Sequence, residues 1–73
     1  MSLHKIDVRG LEPPEPMLRI LAKLTELGPE DVLEVTHFRE PFPLYPRLEG
    51  AGFENAIEKR GEEDYLLTIR KRL

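Results

Sequence analysis

The sequence predicts an α/β (α+β) two-layer sandwich, β-α-β-α-β-β, with a mixed four-stranded sheet in the order 1-2-4-3 and both helices on one face. Three observations carry this expectation. Residues 4–9, 32–37, 53–59 and 65–71 alternate apolar with polar side chains, the period of a half-buried strand. Residues 17–27 keep helical spacing through Met17, Ile20, Leu21, Leu24 and Leu27. A right-handed crossover then makes the first two strands parallel and places both helices on the same side of the sheet.

Each element has a local reason. His4, Ile6 and Val8 share one face of the first strand, and Lys5, Asp7 and Arg9 the other. Gly10 turns the chain, and Pro13, Pro14 and Pro16 suit a helix start, where backbone N–H groups lack intrahelical partners. Gly28 followed by Pro29 stops that helix. Leu33, Val35 and His37 form the inner face of the second strand. After the stiff run Glu40-Pro41-Phe42-Pro43, a short helix to about Gly50 should bury Leu44, Leu48 and Ala51, with Pro46 in its first turn. The last two strands are joined by a polar loop over residues 60–64. Lys5, Asp7, Arg9, Glu34, Thr36, Glu54, Glu58, Thr68 and Arg70 fall on the other face of the sheet, the polar set expected where a sheet meets water.

Size and composition narrow the function. The 73 residues, read as one domain over 1–73, can bury roughly 60–65% of the unfolded chain's surface. A core of that size supplies only about 3–5 kcal/mol. There is no Cys, which excludes disulfides, thiolate metal sites and cysteine nucleophiles. No apolar run approaches a membrane span and no signal peptide is present, so a cytoplasmic location is the expectation. A net charge of −3 disfavours nucleic acid as a partner, and Arg70-Lys71-Arg72 reads as a solvated tail. Asn55 is the only amide side chain in a chain rich in charges, a composition that points to a thermophilic source. The first and third strands would be open sheet edges, so a weak homodimer is expected.

The pattern Asp7-x-x-Gly10-Leu11-x-Pro13-Pro14-x-Pro16 resembles the opening of SirA/TusA-like sulfur-carrier proteins, in which a Cys-Pro-x-Pro motif starts the first helix. Pro14 and Pro16 match that motif's prolines, and Pro13 stands where the persulfide-carrying cysteine would be. The likeness extends through Gly28 and the second strand to Tyr65-x-x-Thr68-Ile69-Arg70-Lys71. The cysteine-less form, with His37-Phe38-Arg39-Glu40-Pro41-x-Pro43-Leu44 and Gly52-Phe53, looks more like a sister family of uncharacterised function whose members also occur beside hemerythrin-like domains. The resemblance implies the same sandwich, a layout also found in the C-terminal domain of a bacterial translation initiation factor. It does not imply sulfur transfer by this chain alone, because Pro13 cannot be a nucleophile and no Ser or Thr stands nearby.

The residues left to carry function are Pro13, Pro14 and Glu15 at the first helix start, His37 and Arg39 at the end of the second strand, and Tyr45 near the second helix start. In the expected fold these border one carboxyl edge of the sheet, where open sheets with parallel strands place ligands. His37 can bind a metal or shuttle a proton, and Arg39 can hold a carboxylate or phosphate bidentately. The competing reading makes His37 a core histidine bonded to a backbone carbonyl, with Arg39 paired to Glu40 or Glu15, and Tyr45 a packing residue at the rim. His4 lies at the far end of its strand, so the two histidines do not suggest a shared metal site, and Glu62, Glu63 and Asp64 read as a solvated loop.

The functional expectation is a non-enzymatic binding or protein-interaction module that docks a protein partner through residues 13–15 and 37–43. No cofactor and no metal are expected. The alternative is an accessory role in sulfur or redox metabolism with the thiol supplied by a partner. RNA binding by analogy of fold is disfavoured by the acidic charge and by the glutamates of the open face.

Overall fold

The computed structural model of the chain describes residues 2–72. Strand β1 (Leu3–Asp7) leads to helix α1 (Glu15–Leu24), strand β2 (Val32–His37), helix α2 (Leu44–Gly50) and the hairpin of β3 (Phe53–Gly61) and β4 (Asp64–Lys71). The sheet order is β1-β2-β4-β3, with β1 parallel to β2 and the other pairs antiparallel, as the alternation and the crossover rule predict. β1 and β3 are its edges.

The strand registers explain the core. Ile6 pairs with Val35, Val35 with Leu67 and Leu67 with Ile57, so one apolar row crosses the whole sheet beneath the helices. Leu33 pairs with Ile69 in the next row. Ile20 and Leu24 of α1 and Leu44 and Leu48 of α2 close over these rows and are buried. On the opposite face Lys5, Glu34 and Thr68 are aligned across three strands. The ion pairs there, Lys5–Glu34 at 4.0 Å and Arg70–Glu54 at 3.7 Å, are exposed enough to add little stability.

Four local departures from the sequence expectation have physical causes. β1 runs from Leu3 to Asp7 rather than over residues 4–9, because the Asp7 carboxylate accepts the Arg9 backbone N–H at 3.0 Å and bends the chain there. The same carboxylate holds the Arg9 guanidinium at 2.9 Å and lies below its ordinary pKa on that account. Helix α1 ends at Leu24, and residues 25–27 continue in tighter i→i−3 bonds that still carry Leu27 into the core. Ala51 is exposed rather than buried. It caps α2, donating its N–H back to Arg47 and Leu48, and the chain swings outward to Gly52 at φ +84°, a left-handed turn that glycine takes without strain. Finally, the expected loop over 60–64 contracts to Glu62 and Glu63, since Gly61 pairs directly with Asp64 after a register shift beyond Lys59.

Asp31 ties the two ends of the parallel pair together. Its carboxylate accepts the backbone N–H of Gly28 at 2.8 Å and of Ser2 at 3.0 Å, which holds its pKa below the usual carboxylate value. No helix among the described residues is long and apolar enough to cross a membrane.

Candidate functional site

A groove of about 230 Å³ opens where the start of α1 meets the segment that leaves β2. One wall is Pro13, Pro14, Pro16, Met17 and Ile20; the other is built from Phe38, Pro41, Pro43 and Leu44. The prolines follow from the local fold. Pro14 is the N-cap of α1, after a cis Pro13–Pro14 peptide bond, and Pro16 lies in the first turn, where an N–H has no intrahelical acceptor and its absence costs no hydrogen bond. Pro43 caps α2 in the same way. Met17 and Ile20 belong to the helical stripe that also builds the core, so the groove is continuous with the hydrophobic interior.

His37 forms part of the floor. As the last residue of β2 it keeps the strand alternation and points to the helix side, and only 4% of it is exposed. Its Nδ1 accepts the backbone N–H of Arg39 at 3.3 Å. A backbone N–H can only donate, so Nδ1 is unprotonated and the neutral ring carries its proton on Nε2. The described residues supply no hydrogen-bond partner to Nε2. Burial first, and the nearby Arg39 charge second, lower the His37 pKa from its ordinary 6.5, so the ring is neutral at pH 7.

Arg39 stands at the rim and is exposed. Its guanidinium lies over the Phe38 ring, 4.6 Å from the centroid. No carboxylate among the described residues pairs with it, because the two nearest in the sequence reading are engaged elsewhere. Glu40 accepts the Tyr45 hydroxyl at 2.9 Å, and Glu15 faces Arg19 at 3.7 Å. The expected Arg39 pairing with Glu40 or Glu15 is therefore absent, and the cation faces solvent at the mouth of the groove.

Of the six residues singled out in the sequence, Pro13, Pro14, His37 and Arg39 line the groove. Glu15 and Tyr45 do not. Glu15 points away along the exposed side of α1, and Tyr45 braces the loop from behind, meeting Phe42 edge-on at 6.1 Å. Burial, with the Glu40 hydrogen bond and charge adding to it, pushes the Tyr45 pKa up to about 12. Met17, Ile20 and Leu44 were legible only as core positions, since helical spacing does not distinguish a core stripe from a groove wall.

The two readings of His37 both hold in part. Its ring is buried like a core histidine, yet Nδ1 takes a backbone N–H rather than giving a proton to a carbonyl, and Nε2 opens to the groove without a protein partner among the described residues. Direct metal ligation through Nε2 would displace the proton that the Arg39 N–H contact places there. Among the described residues, no group of three or more His, Cys, Asp or Glu is placed to hold a metal ion. His4 pairs in register with Leu33, four residues before His37, a separation of about 13 Å along the strand. It faces Asp31 instead, with Nε2 to Oδ2 at 3.5 Å. Glu62 and Glu63 are exposed in the hairpin turn and take no part in the groove.

The groove thus offers apolar walls, one neutral N–H donor, one unpaired cation and the Glu40 carboxylate held by Tyr45, and it contains no Ser, Thr or Cys. That set can hold a ligand. No curated protein and no solved structure gives a significant match to the chain. Residues 5–71, nearly the whole sequence, match the family described as "Uncharacterized conserved protein (DUF2249)", and the chain belongs to that family.

Proposed function

We propose that this chain is a non-enzymatic binding module that docks a protein partner in the groove between the start of α1 and the β2–α2 segment. The observation that carries this reading is the lining: apolar on both walls, polar only at His37, Arg39 and Glu40, and without Ser, Thr or Cys. Leu18 and Phe42 support it. They are 53% and 66% exposed, large apolar side chains left in solvent on the two segments that form the groove, next in sequence to the lining residues Met17, Pro41 and Pro43.

The test is capture of the partner by tagged protein and its variants. Wild type and Glu58→Arg, a change on the far face of the sheet, should retain the same partner, whereas Met17→Lys and Arg39→Glu should lose it. Arg39 is exposed, so the Arg39→Glu midpoint should stay near wild type, whereas Met17 packs on the core and Met17→Lys is scored for capture under conditions where its melt shows it folded. Capture unchanged by both groove variants rejects the reading.

The reading includes a relationship to the SirA/TusA-like sulfur carriers, with Pro13 at the position of their cysteine. Pro13 is exposed and directly precedes the N-cap of α1, the environment that activates a thiolate. Pro13→Cys is expected to fold and to gain one sulfur atom when incubated with a cysteine desulfurase and cysteine, read as a mass increase that a reductant reverses. Wild type should stay unmodified. A variant that folds and takes up no sulfur counts against the relationship, and an adduct on wild type overturns the claim that this chain carries none.

A further inference from the structure

We infer that the occupant of the groove presents a carboxylate attached directly to an apolar group, as the C-terminal residue of a peptide chain does, with one carboxylate oxygen on the His37 Nε2–H and the anion facing Arg39. This rests on the proposed docking function and names the chemistry that the docked segment must carry.

Two independent features point the same way. The first is the Nε2–H of His37, a donor on a side chain that is 4% exposed, with no partner among the described residues and with the groove in front of it. The residue is buried, but Nε2 is open to the groove, so a ligand acceptor placed there takes the place of solvent on a ring N–H set between apolar walls. The second is Arg39, whose neighbouring carboxylates are already held by Tyr45 and Arg19. A neutral acceptor would satisfy the imidazole and leave the guanidinium unused. An anionic acceptor satisfies both.

The charge count selects a carboxylate over a phosphate. The groove supplies one cation and one neutral donor between apolar walls, and its one lining carboxylate, Glu40, is engaged by the Tyr45 hydroxyl. A phosphate dianion would be under-neutralised there, and the cost of desolvating a second charge would be uncompensated. A monoanion with planar oxygens matches a guanidinium and a single ring N–H. The apolar walls begin beside the donors, with Met17 and Ile20 on one side and Leu44 on the other, so the group bearing the carboxylate is itself apolar. The volume of about 230 Å³ holds one side chain of leucine or phenylalanine size, not an extended chain of several residues.

The probes are N-acetyl-Ala-Ala-Leu with a free C-terminus, its C-terminal amide, and inorganic phosphate, titrated into isotopically labelled protein and followed by amide and imidazole NMR shifts. The free acid should shift the Met17, Phe38 and Arg39 amides and the His37 Nε2–H resonance, and bind about tenfold more tightly than the amide. Arg39→Gln should reduce the free acid to the affinity of the amide. His37→Phe, which keeps the ring volume, should weaken the free acid while leaving α1 and the sheet unshifted. Equal binding of acid and amide at the groove, or saturable binding of phosphate there, overturns the carboxylate inference and leaves the docking function standing. No groove shift with any probe at millimolar concentration overturns both.

Discussion

Ile20→Ala is expected to leave most of the protein unfolded at room temperature. Ile20 is fully buried, packs α1 onto the sheet and also lines the groove. Truncation removes its transfer free energy and leaves a cavity, a loss of about 2–5 kcal/mol for a buried aliphatic side chain. The core that must absorb this supplies only about 3–5 kcal/mol, with no disulfide to restrain the unfolded chain. Ile20→Val removes one methylene and should cost about 1 kcal/mol, leaving a folded protein with a lower midpoint. Urea melts followed by far-ultraviolet circular dichroism distinguish the two. An Ile20→Ala variant with a near wild-type midpoint would mean that α1 is not held to the sheet through this residue.

His37 should produce the second-largest effect, and it carries a pH signature. His37→Ala removes a buried ring and orphans the Arg39 backbone N–H that Nδ1 accepts, for a combined loss of about 2–3 kcal/mol. His37→Phe keeps the volume and loses only the acceptor, so its cost should be about half as large. The sign of the pH dependence follows from the depressed pKa. Below the ordinary value of 6.5 the unfolded chain binds a proton that the folded ring refuses, so the stability contributed by the neutral ring is complete above that pH. It is lost progressively as pH falls from 6.5 through the lower folded-state value. Asp7 and Asp31 have carboxyls below their ordinary 3.8, and their contributions disappear only at more acidic pH. Subtracting the stability–pH profile of His37→Phe from that of wild type should therefore leave a slope just below pH 6.5 and none above it. A flat difference through that window would show that the ring is equally free to protonate when folded.

The His37 result bears on the groove as well. A loss of stability in His37→Ala does not by itself separate a core role from a binding role, because the same ring does both. Arg39 separates them, since it is exposed and pairs with no carboxylate among the described residues. Arg39 variants should fold as wild type does and fail only in binding.

The strands and helices were legible in the amino-acid sequence because they depend on local spacing. The alternation of Leu33, Val35 and His37 places these residues on the inner face of β2 in any half-buried strand, and the Met17-to-Leu27 stripe does the same for a helix on that sheet. The absence of cysteine, and Pro13 at the head of the helix, were equally plain from sequence and remove a nucleophile wherever the chain folds. The carboxyl edge as the location of the groove followed from topology alone. What packs against that edge did not. Glu15 and Tyr45 lie within a few residues of the groove in sequence but turn away from it, because Arg19 sits one helical turn from Glu15 and Glu40 reaches the Tyr45 hydroxyl. Ala51 kept the apolar spacing of α2 and still ended in solvent, since the chain leaves the helix there. Most consequentially, only the tertiary structure decided that His37 is buried with one nitrogen satisfied and the other open to the groove, and that Arg39 has no carboxylate partner. Alternation along a chain records which side of a strand a residue faces, but pairing between charges depends on distances across elements, and those exist only once the helices have closed over the sheet.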